Sequence, residues 1–317
     1  MKRGLQLLGS VAALLASLYF LRWNQLTAAA ARIDLLTFLL ALILSLISLA
    51  VLGFRWIAIV RSLAPAPLTE QWRIYFIATF LNSFTPANLG GDIYRAVKLR
   101  PWARRRSTAA LVAALGVERV VGLCSYFAGY LLALGLQVLR SPQATLGMNR
   151  AFILPALPVA AALVTIVSLP RLWRHRRLLR PFRMLDRVFG RHLRDFYRGL
   201  LLSTRSKVAV LALLSSLAWA AWVAATAVVS TRLGLNISLP LLAMIVTLTE
   251  LARLIPVSFQ GVGIREGVFS ALVGLGGGSL EIGFMVAAIT YAALSLALLL
   301  SGVIGWILGI ARPEVAT

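Results

Sequence analysis

Long apolar runs recur along the chain and are separated by short polar connections. A membrane-spanning helix needs about 20 predominantly apolar residues, and six stretches are of that order of length. The six predicted spans are Leu5–Leu21, Leu35–Phe54, Val120–Leu139, Ala151–Leu169, Val208–Thr231 and Phe284–Ala311. The alternating pattern of a membrane barrel is absent. The sequence therefore predicts an all-α integral membrane protein, a helical bundle with about six full spans.

Two further apolar segments are interrupted by proline, glycine and charged residues, at residues 84–95 and 255–266. The hinge residues are Pro86, Gly90 and Gly91 in the first interruption and Pro256, Gly261 and Gly263 in the second. Open backbone and charge are costly in hydrocarbon, so such interruptions normally line a buried or water-filled cavity. They are therefore the best candidates for a functional site.

Composition excludes a soluble domain. Hydrophobic residues make up 60% of the chain, charged residues 13%, and the mean hydropathy is +0.88. The longest polar stretch is the loop at residues 171–207, so we treat residues 1–317 as a single polytopic membrane domain. A net charge of +22 in a soluble protein would suggest a nucleic-acid partner. Here 12 of the basic residues lie in that one loop, which indicates a topological role and no nucleic acid.

Basic residues predict the orientation, because short loops rich in lysine and arginine stay cytoplasmic. With an uncleaved first span and both termini in the cytoplasm, 24 of the 32 basic residues, Arg55 among them, lie inside and five lie outside. This count requires residues 74–99 and 239–278 each to return to the side from which they enter. We therefore predict two oppositely oriented re-entrant hairpins, as in inverted-repeat transporters. The alternative makes each half a full span, with eight to ten crossings.

The basic loop at residues 171–207 has its own periodicity. Apolar residues recur at helical spacing from Phe182 to Leu200, and arginines recur on another side from Arg183 to Arg198. A helix with separate apolar and arginine faces lies in the headgroup plane and is attracted to anionic lipid. The alternative is an ordinary cytoplasmic connector.

Charged side chains at the two interruptions are the candidate chemistry. In the first, Asp92 can cap exposed N–H groups, and Arg95 lies within its reach three residues later. In the second, Glu250 and Arg253 share a helix face. Arginine suits phosphate, because its planar guanidinium matches phosphate oxygens. The predicted headgroup-binding set is Asn82, Asn88, Asp92, Arg95, Glu250, Arg253, Gln260, Arg265 and Glu266, with Glu118 and Arg119 as secondary candidates.

Signatures of an enzyme are missing from the sequence. The two histidines, His175 and His192, lie in the basic loop, and Cys124 is the single cysteine. No metal-type cluster, phosphate-binding loop or nucleophile elbow occurs. We therefore expect no metal and no cofactor. A carboxylate pair among Asp92, Glu118, Glu250 and Glu266 is conceivable, so the sequence leaves enzymatic activity open.

The two interruptions resemble the signature regions of a known family. Asn82-Ser83-Phe84-Thr85-Pro86 followed by Gly90-Gly91-Asp92, and later residues 256–267 (PVSFQGVGIREG), look like those of the lysylphosphatidylglycerol synthetase/flippase transmembrane family. The resemblance covers nearly the whole chain. It implies a helical membrane domain that handles lipids, in some members moving aminoacylated phosphatidylglycerol between leaflets. Full-length synthetases also carry a soluble aminoacyl-transfer domain, and we expect no lysyl transfer here.

These observations predict a flippase-like lipid translocase in a bacterial inner membrane, acting on an anionic, aminoacylated, glycosylated or polyisoprenyl-linked lipid. The alternative is a membrane enzyme or accessory subunit that acts on lipid-linked sugars with a partner glycosyltransferase. A third reading is a non-catalytic scaffold for such a partner, and a homo-oligomer is compatible with all three.

Overall fold

The computed structural model describes residues 15, 19, 21–85, 89–103, 108–140, 150–162, 164, 205–253 and 261–310. Within these residues the chain is all-helical, without strands. The helices are α1 Trp23–Ala30, α2 Leu35–Val60, α3 Leu68–Asn82, α4 Gly90–Leu99, α5 Thr108–Arg140, α6 Arg150–Ile153, α7 Arg205–Arg232, α8 Leu239–Ala252, α9 Ile264–Leu275 and α10 Leu280–Ile310. A short 3-10 helix, Arg100–Trp102, follows α4.

Four of the described helices are long and apolar enough to cross a membrane. They are Leu35–Val60, Ala114–Arg140, Ala209–Arg232 and Leu280–Ile310. Each of these helices exposes large apolar side chains, such as Ile43 and Ile47 on α2. Contact with hydrocarbon is favourable for such side chains, whereas contact with water is not. These helices confirm the prediction of an all-α membrane protein and match four of the six predicted spans. Of the other two, Leu5–Leu21 lies largely outside the described residues. In Ala151–Leu169 the described part is a shorter apolar helix, Arg150–Ala162, and most of the residues after it lie outside the described ranges.

The bundle packs α2 most extensively against α7, while α10 contacts α2, α3, α7 and α9, and α8 contacts α5 and α9. The larger core cluster lies between α5, α7, α8 and α10 and includes the fully buried Tyr130, Met244 and Ile245. A smaller cluster around Trp56 and Ile74 joins α2, α3, α4 and α5.

Charged residues near the helix ends divide between the two ends of the bundle. At the end where α2 begins and α7 ends, Arg232 forms a 2.9 Å ion pair with Asp34, and Arg32 donates to the carbonyl of Leu233. The hydrogen bond from Thr37 lowers the pKa of Asp34. At the opposite end, Arg73 lies beside Gly309 near the end of α10. The arginines predicted to lie outside are thus at one end of the bundle, and Arg73, predicted to lie inside, is at the other. Which end is cytoplasmic stays a prediction.

The first interruption separates α3 from α4. Because α4 begins with Gly90-Gly91, its backbone approaches the end of α3 closely, and the freed N–H groups find acceptors at the end of α3 and just beyond it. Gly90 N–H donates to Thr85 Oγ1 at 2.9 Å, and Gly91 N–H donates to Asn82 Oδ1 at 2.8 Å. The expectation that Asp92 caps this helix is wrong, because Asn82 and Thr85 supply the acceptors and Asp92 forms ion pairs instead.

The second interruption separates α8 from α9. Gly261 and Gly263 have φ of +79° and +82°, a backbone conformation that favours glycine. The carboxylate of Glu266 accepts a 2.7 Å hydrogen bond from the N–H of Gly263 and so closes the start of α9. Each interruption thus joins two helices that contact each other. Whether residues 74–99 and 239–278 re-enter from opposite leaflets, as the proposed inverted repeat requires, stays a prediction, and Pro86 and Pro256 lie outside the described residues.

A single methyl group at Gly91 should destabilise the fold. The added Cβ would collide with the carbonyl oxygen of Ala78 and lie 2.6 Å from Asn82 Oδ1. Overpacking of this kind costs about 1–3 kcal/mol, so Gly91→Ala should lower the melting temperature in detergent. Gly135→Ala is the matched control, because nothing lies within 4 Å of its added Cβ in α5, and it should be neutral or stabilising. Equal melting temperatures for Gly91→Ala and wild type would contradict this close packing.

Candidate functional site

A cavity of about 210 Å³ lies between the two interruptions. It is enclosed by α2, α3, α5, α7, α8, α9 and α10, and most of its lining residues lie near the middle of the long helices. Its charged and polar lining residues are Ser48, Arg55, Thr79, Asn82, Ser83, Ser125, Tyr126, Ser215, Trp219, Trp222, Glu250, Arg253 and Arg265. We call it the central cavity. Three arginines and one carboxylate thus face a small space within a membrane bundle.

Residues beside the second interruption form one wall of the central cavity. Arg253 forms a 3.0 Å ion pair with Glu250, whose other carboxylate oxygen accepts a 3.1 Å hydrogen bond from the hydroxyl of Tyr291. The guanidinium of Arg265 lies 4.2 Å from the ring centroid of Tyr291, a cation–π contact. Tyr291 on α10 therefore joins Glu250 on α8 to Arg265 on α9.

Arg265 differs from the other cavity arginines. Its side chain is buried, with 3% of the residue exposed, and its Nε, like that of Arg55, has no hydrogen-bond partner. Within the described ranges no carboxylate lies within ion-pair distance of Arg265. Glu266, which the sequence placed in the headgroup-binding set, accepts a hydrogen bond from the N–H of Gly263 at the start of α9. Arg265 is thus a buried cation with an open hydrogen-bonding position.

Residues beside the first interruption form a buried ion network, made of Arg55, Asp92, Arg95, Glu118 and Arg119. Arg95 bonds Asp92 at 2.6 Å and Glu118 at 2.7 Å. Arg119 bonds Asp92 at 2.5 Å, and Arg55 lies 3.5 Å from Glu118. Arg95 also lies 4.4 Å above the ring of Trp56. Because Glu118 and Arg119 are adjacent on α5, they bond different partners and tie α2, α4 and α5 together.

Arg55 connects this network to the central cavity. It bonds Glu118 on one side, donates a 2.9 Å hydrogen bond to Ser215 Oγ on α7, and lines the cavity. Its assignment to the cytoplasmic loops is wrong, since α2 continues to Val60 and leaves Arg55 only 7% exposed. The predicted span stopped at Phe54 because the uninterrupted run of apolar residues ends there. The apolar residues that follow Arg55 were the signal of a longer helix.

The structure sorts the predicted site residues into three groups. Asn82, Glu250, Arg253 and Arg265 line the central cavity. Asp92, Arg95 and Glu118 are buried in the ion network and do not line the cavity, while the side chain of Arg119 is half exposed. Asn88 and Gln260 lie outside the described residues, as does most of the basic loop at residues 171–207. Sequence reasoning missed Arg55, Tyr126, Ser215 and Tyr291, whose roles depend on packing between distant helices.

The chemistry available in the cavity is anion binding. Arginine guanidinium groups offer several donors to phosphate or carboxylate oxygens. Glu250, held by Arg253 and Tyr291, is the cavity's one lining carboxylate among the described residues. In the same part of the chain no group of three or more histidine, cysteine, aspartate or glutamate residues is close enough to hold a metal ion. The arrangement can hold a small anionic group away from hydrocarbon.

Comparison with curated proteins and with solved structures found no significant match. A family model described as the lysylphosphatidylglycerol synthase TM region matches residues 5–306, which is nearly the whole chain and includes both interruptions. With its four spanning-length helices, this match makes the chain a multi-pass membrane protein. The chain belongs to the lysylphosphatidylglycerol synthase transmembrane-region family.

Proposed function

We propose that this protein is a flippase-like translocase that moves an anionic lipid between the leaflets of the bacterial inner membrane. The observation that carries the proposal is the central cavity, where Asn82, beside the first interruption, meets residues beside or within the second, namely Glu250, Arg253 and Arg265. Membership of a lipid-related membrane family supports the same class of substrate.

The physical barrier to lipid translocation is the headgroup, because a charged group at the bilayer centre is costly. The acyl chains stay in hydrocarbon throughout and need no protein path. A protein that lowers the barrier must offer partners for the headgroup at mid-depth, and the central cavity offers the cations Arg55, Arg253 and Arg265. Lining residues such as Ser125 and Tyr126 add polar contacts.

Binding must also be weak enough for release. Arg253 is held by Glu250, and Arg55 is shared between Glu118 and Ser215, so both cations are partly neutralised before a lipid arrives. Of these three arginines, Arg265 alone has no carboxylate of the described residues within ion-pair distance. We therefore assign it the main phosphate contact, with Arg253 and Arg55 as further, weaker positions along the path.

Filling the central cavity should stop translocation while leaving the fold intact. Ser125 lines the cavity from α5 and is half-buried, so Ser125→Trp places a bulky ring in the headgroup path. In proteoliposomes containing a fluorescent phosphatidylglycerol, we expect wild-type protein to expose inner-leaflet lipid to an external quencher, and Ser125→Trp to lower the initial rate at least about tenfold. Leu132→Trp is the matched control, since Leu132 lies on the same helix and is 59% exposed.

Two outcomes would contradict the proposal. If vesicles with wild-type protein expose lipid to the quencher no faster than protein-free vesicles, the protein is not a translocase. Equal exchange rates for Ser125→Trp and Leu132→Trp would show that the headgroup does not pass through the central cavity. Turnover of a lipid-linked sugar by the purified chain, lost in Glu250→Gln, would instead favour the membrane-enzyme alternative.

A further inference from the structure

The side chains of Arg253 and Arg265 converge at the second interruption. Gly261 lies against both of them, because a Cβ added there would be 2.7 Å from Arg253 Cγ and 3.2 Å from Cγ and Nε of Arg265. Gly261 has a φ of +79°, and its missing side chain leaves room for two arginine stems side by side. Both arginines line the central cavity. Two cationic side chains therefore enter the same space.

The charges of these two arginines are compensated unequally. Arg253 has a 3.0 Å ion pair with Glu250 and ends α8, where the helix dipole favours a cation. Arg265 lies in the first turn of α9, where the helix dipole disfavours a cation. Within the described ranges no carboxylate is at ion-pair distance from Arg265, and the positive charge of Arg253 repels it. The pair thus holds two positive charges against one carboxylate.

Other groups around Arg265 do not supply the missing negative charge. The ring of Tyr291 makes a cation–π contact at 4.2 Å, which attracts a guanidinium without neutralising it. Glu266 accepts the N–H of Gly263, and the neighbouring segment 254–260 contains no acidic residue. A buried charge without a partner is unfavourable, most of all within a membrane. An anion bound beside Arg265 would therefore stabilise the fold.

The missing partner is small and carries a single charge. Arg265 is 3% exposed, so its partner must fit inside the bundle. Arg55, the third cavity arginine, has its own carboxylate in Glu118, so one negative charge completes the balance. Hydroxyl groups of Ser125 and Tyr126 line the same cavity. Chloride accepts hydrogen bonds from N–H and O–H donors, carries one charge and requires no particular shape.

We propose that Arg265, with Arg253 beside it, binds a small monovalent inorganic anion, chloride in ordinary buffers, in the central cavity. The anion neutralises Arg265 whenever no lipid headgroup is present, and a headgroup displaces it. The site follows from the charges of the folded chain and does not depend on lipid translocation. In a translocase, the anion would also let the empty protein return without an unpaired buried cation.

Melting of the full chain in an uncharged detergent tests the site without measuring transport. Protein washed free of lipid is titrated by replacing sodium gluconate with sodium chloride, so that the ionic strength and its screening stay constant. We expect a saturable rise in melting temperature of about 3 °C once chloride is about tenfold above its dissociation constant. A melting temperature that is the same in chloride and gluconate would overturn the proposal.

Three variants assign the response to one residue. Arg265→Gln should abolish the chloride response and melt in gluconate at or above the temperature of wild type. Arg265→Lys should keep most of the response, because a spherical anion needs the charge and not the planar fork. Arg140→Gln, at the exposed end of α5, is the matched control and should respond fully. A full chloride response in Arg265→Gln would place the anion elsewhere and refute the site.

Bromide locates the anion in the wild-type protein and so needs no variant. Crystals soaked in bromide should show an anomalous peak within hydrogen-bond distance of the Arg265 guanidinium. An ordered Arg265 without bromide beside it would overturn the proposal, even if Arg265→Gln failed to fold.

Failure of this site and failure of the proposed function give different results. A chloride response without leaflet exchange would leave the anion site standing and show that the protein is not a translocase. Leaflet exchange by a protein that neither responds to chloride nor binds bromide would support the translocase and refute the anion site. Phosphatidylglycerol added to the micelles should abolish the chloride response, and an unchanged response would show that the headgroup does not displace the anion.

Discussion

Arg95→Met should leave little stably folded protein, the largest effect on stability that we expect from one substitution. Arg95 is 7% exposed and bonds two buried carboxylates, Asp92 at 2.6 Å and Glu118 at 2.7 Å. Methionine keeps the bulk beside Trp56, but Asp92 and Glu118 each lose their ion pair with Arg95. Breaking a buried ion pair from one side costs about 3–5 kcal/mol. Melting of the detergent-solubilised protein, followed by tryptophan fluorescence, measures the loss.

Two controls define this prediction. Lys98→Met removes a cation from the exposed side of the same helix and should leave the melting temperature close to that of wild type. Adding Glu118→Gln to Arg95→Met removes one of the stranded charges and should recover part of the stability. An Arg95→Met protein that melts with wild type would show that the ion network does not hold α4 to α5.

Several features of the fold followed from sequence because they depend on local chemistry. Apolar runs of spanning length predicted the four long helices, and the proline and glycine positions predicted where α3 and α8 end. Exact helix ends did not follow, because a count of apolar residues stops at the first charge. At Arg55 the helix continues for five more residues, because Glu118 and Ser215 on other helices satisfy the guanidinium.

The same distinction between local and long-range contacts applies to the site. The pairs Asp92 with Arg95 and Glu250 with Arg253 are three residues apart and were predictable from helix geometry. Tyr291 was not, since it reaches Glu250 only because α9 packs against both α8 and α10. The predicted cap at Asp92 failed for a similar reason, because Asn82 at the end of α3 and Thr85 just beyond it accept from the freed N–H groups instead.

The two groups of charges have different energetic roles, although the sequence presents them alike. In the buried ion network each carboxylate contacts two arginines and each arginine contacts at least one carboxylate, so the network holds helices together. Beside the second interruption, Glu266 accepts a hydrogen bond from Gly263, and no carboxylate of the described residues lies within ion-pair distance of Arg265. A cation that contributes no ion pair to the fold is available to a ligand.

Arg265→Gln should therefore slow lipid exchange in proteoliposomes about 10- to 100-fold while the protein stays folded. Hydrogen bonds to charged groups contribute about 1.5–3 kcal/mol, and that loss at the barrier corresponds to this range of rates. Unlike Arg95→Met, the substitution strands no carboxylate, so the melting temperature should stay near that of wild type or rise as a buried charge is removed.

The contrast between the two arginines makes the assignment testable within one set of variants. Arg140→Gln, at the exposed end of α5, removes the same charge from the chain and should change neither exchange nor melting. Arg265→Lys should retain part of the exchange rate, because a lysine keeps the charge but loses the planar fork. Glu266→Ala should lower stability through the lost cap at Gly263, so its slower exchange would follow from a disturbed α9. Wild-type exchange in Arg265→Gln would show that the phosphate does not pass this residue, whereas loss of the fold would show that Arg265 has a structural partner in the membrane.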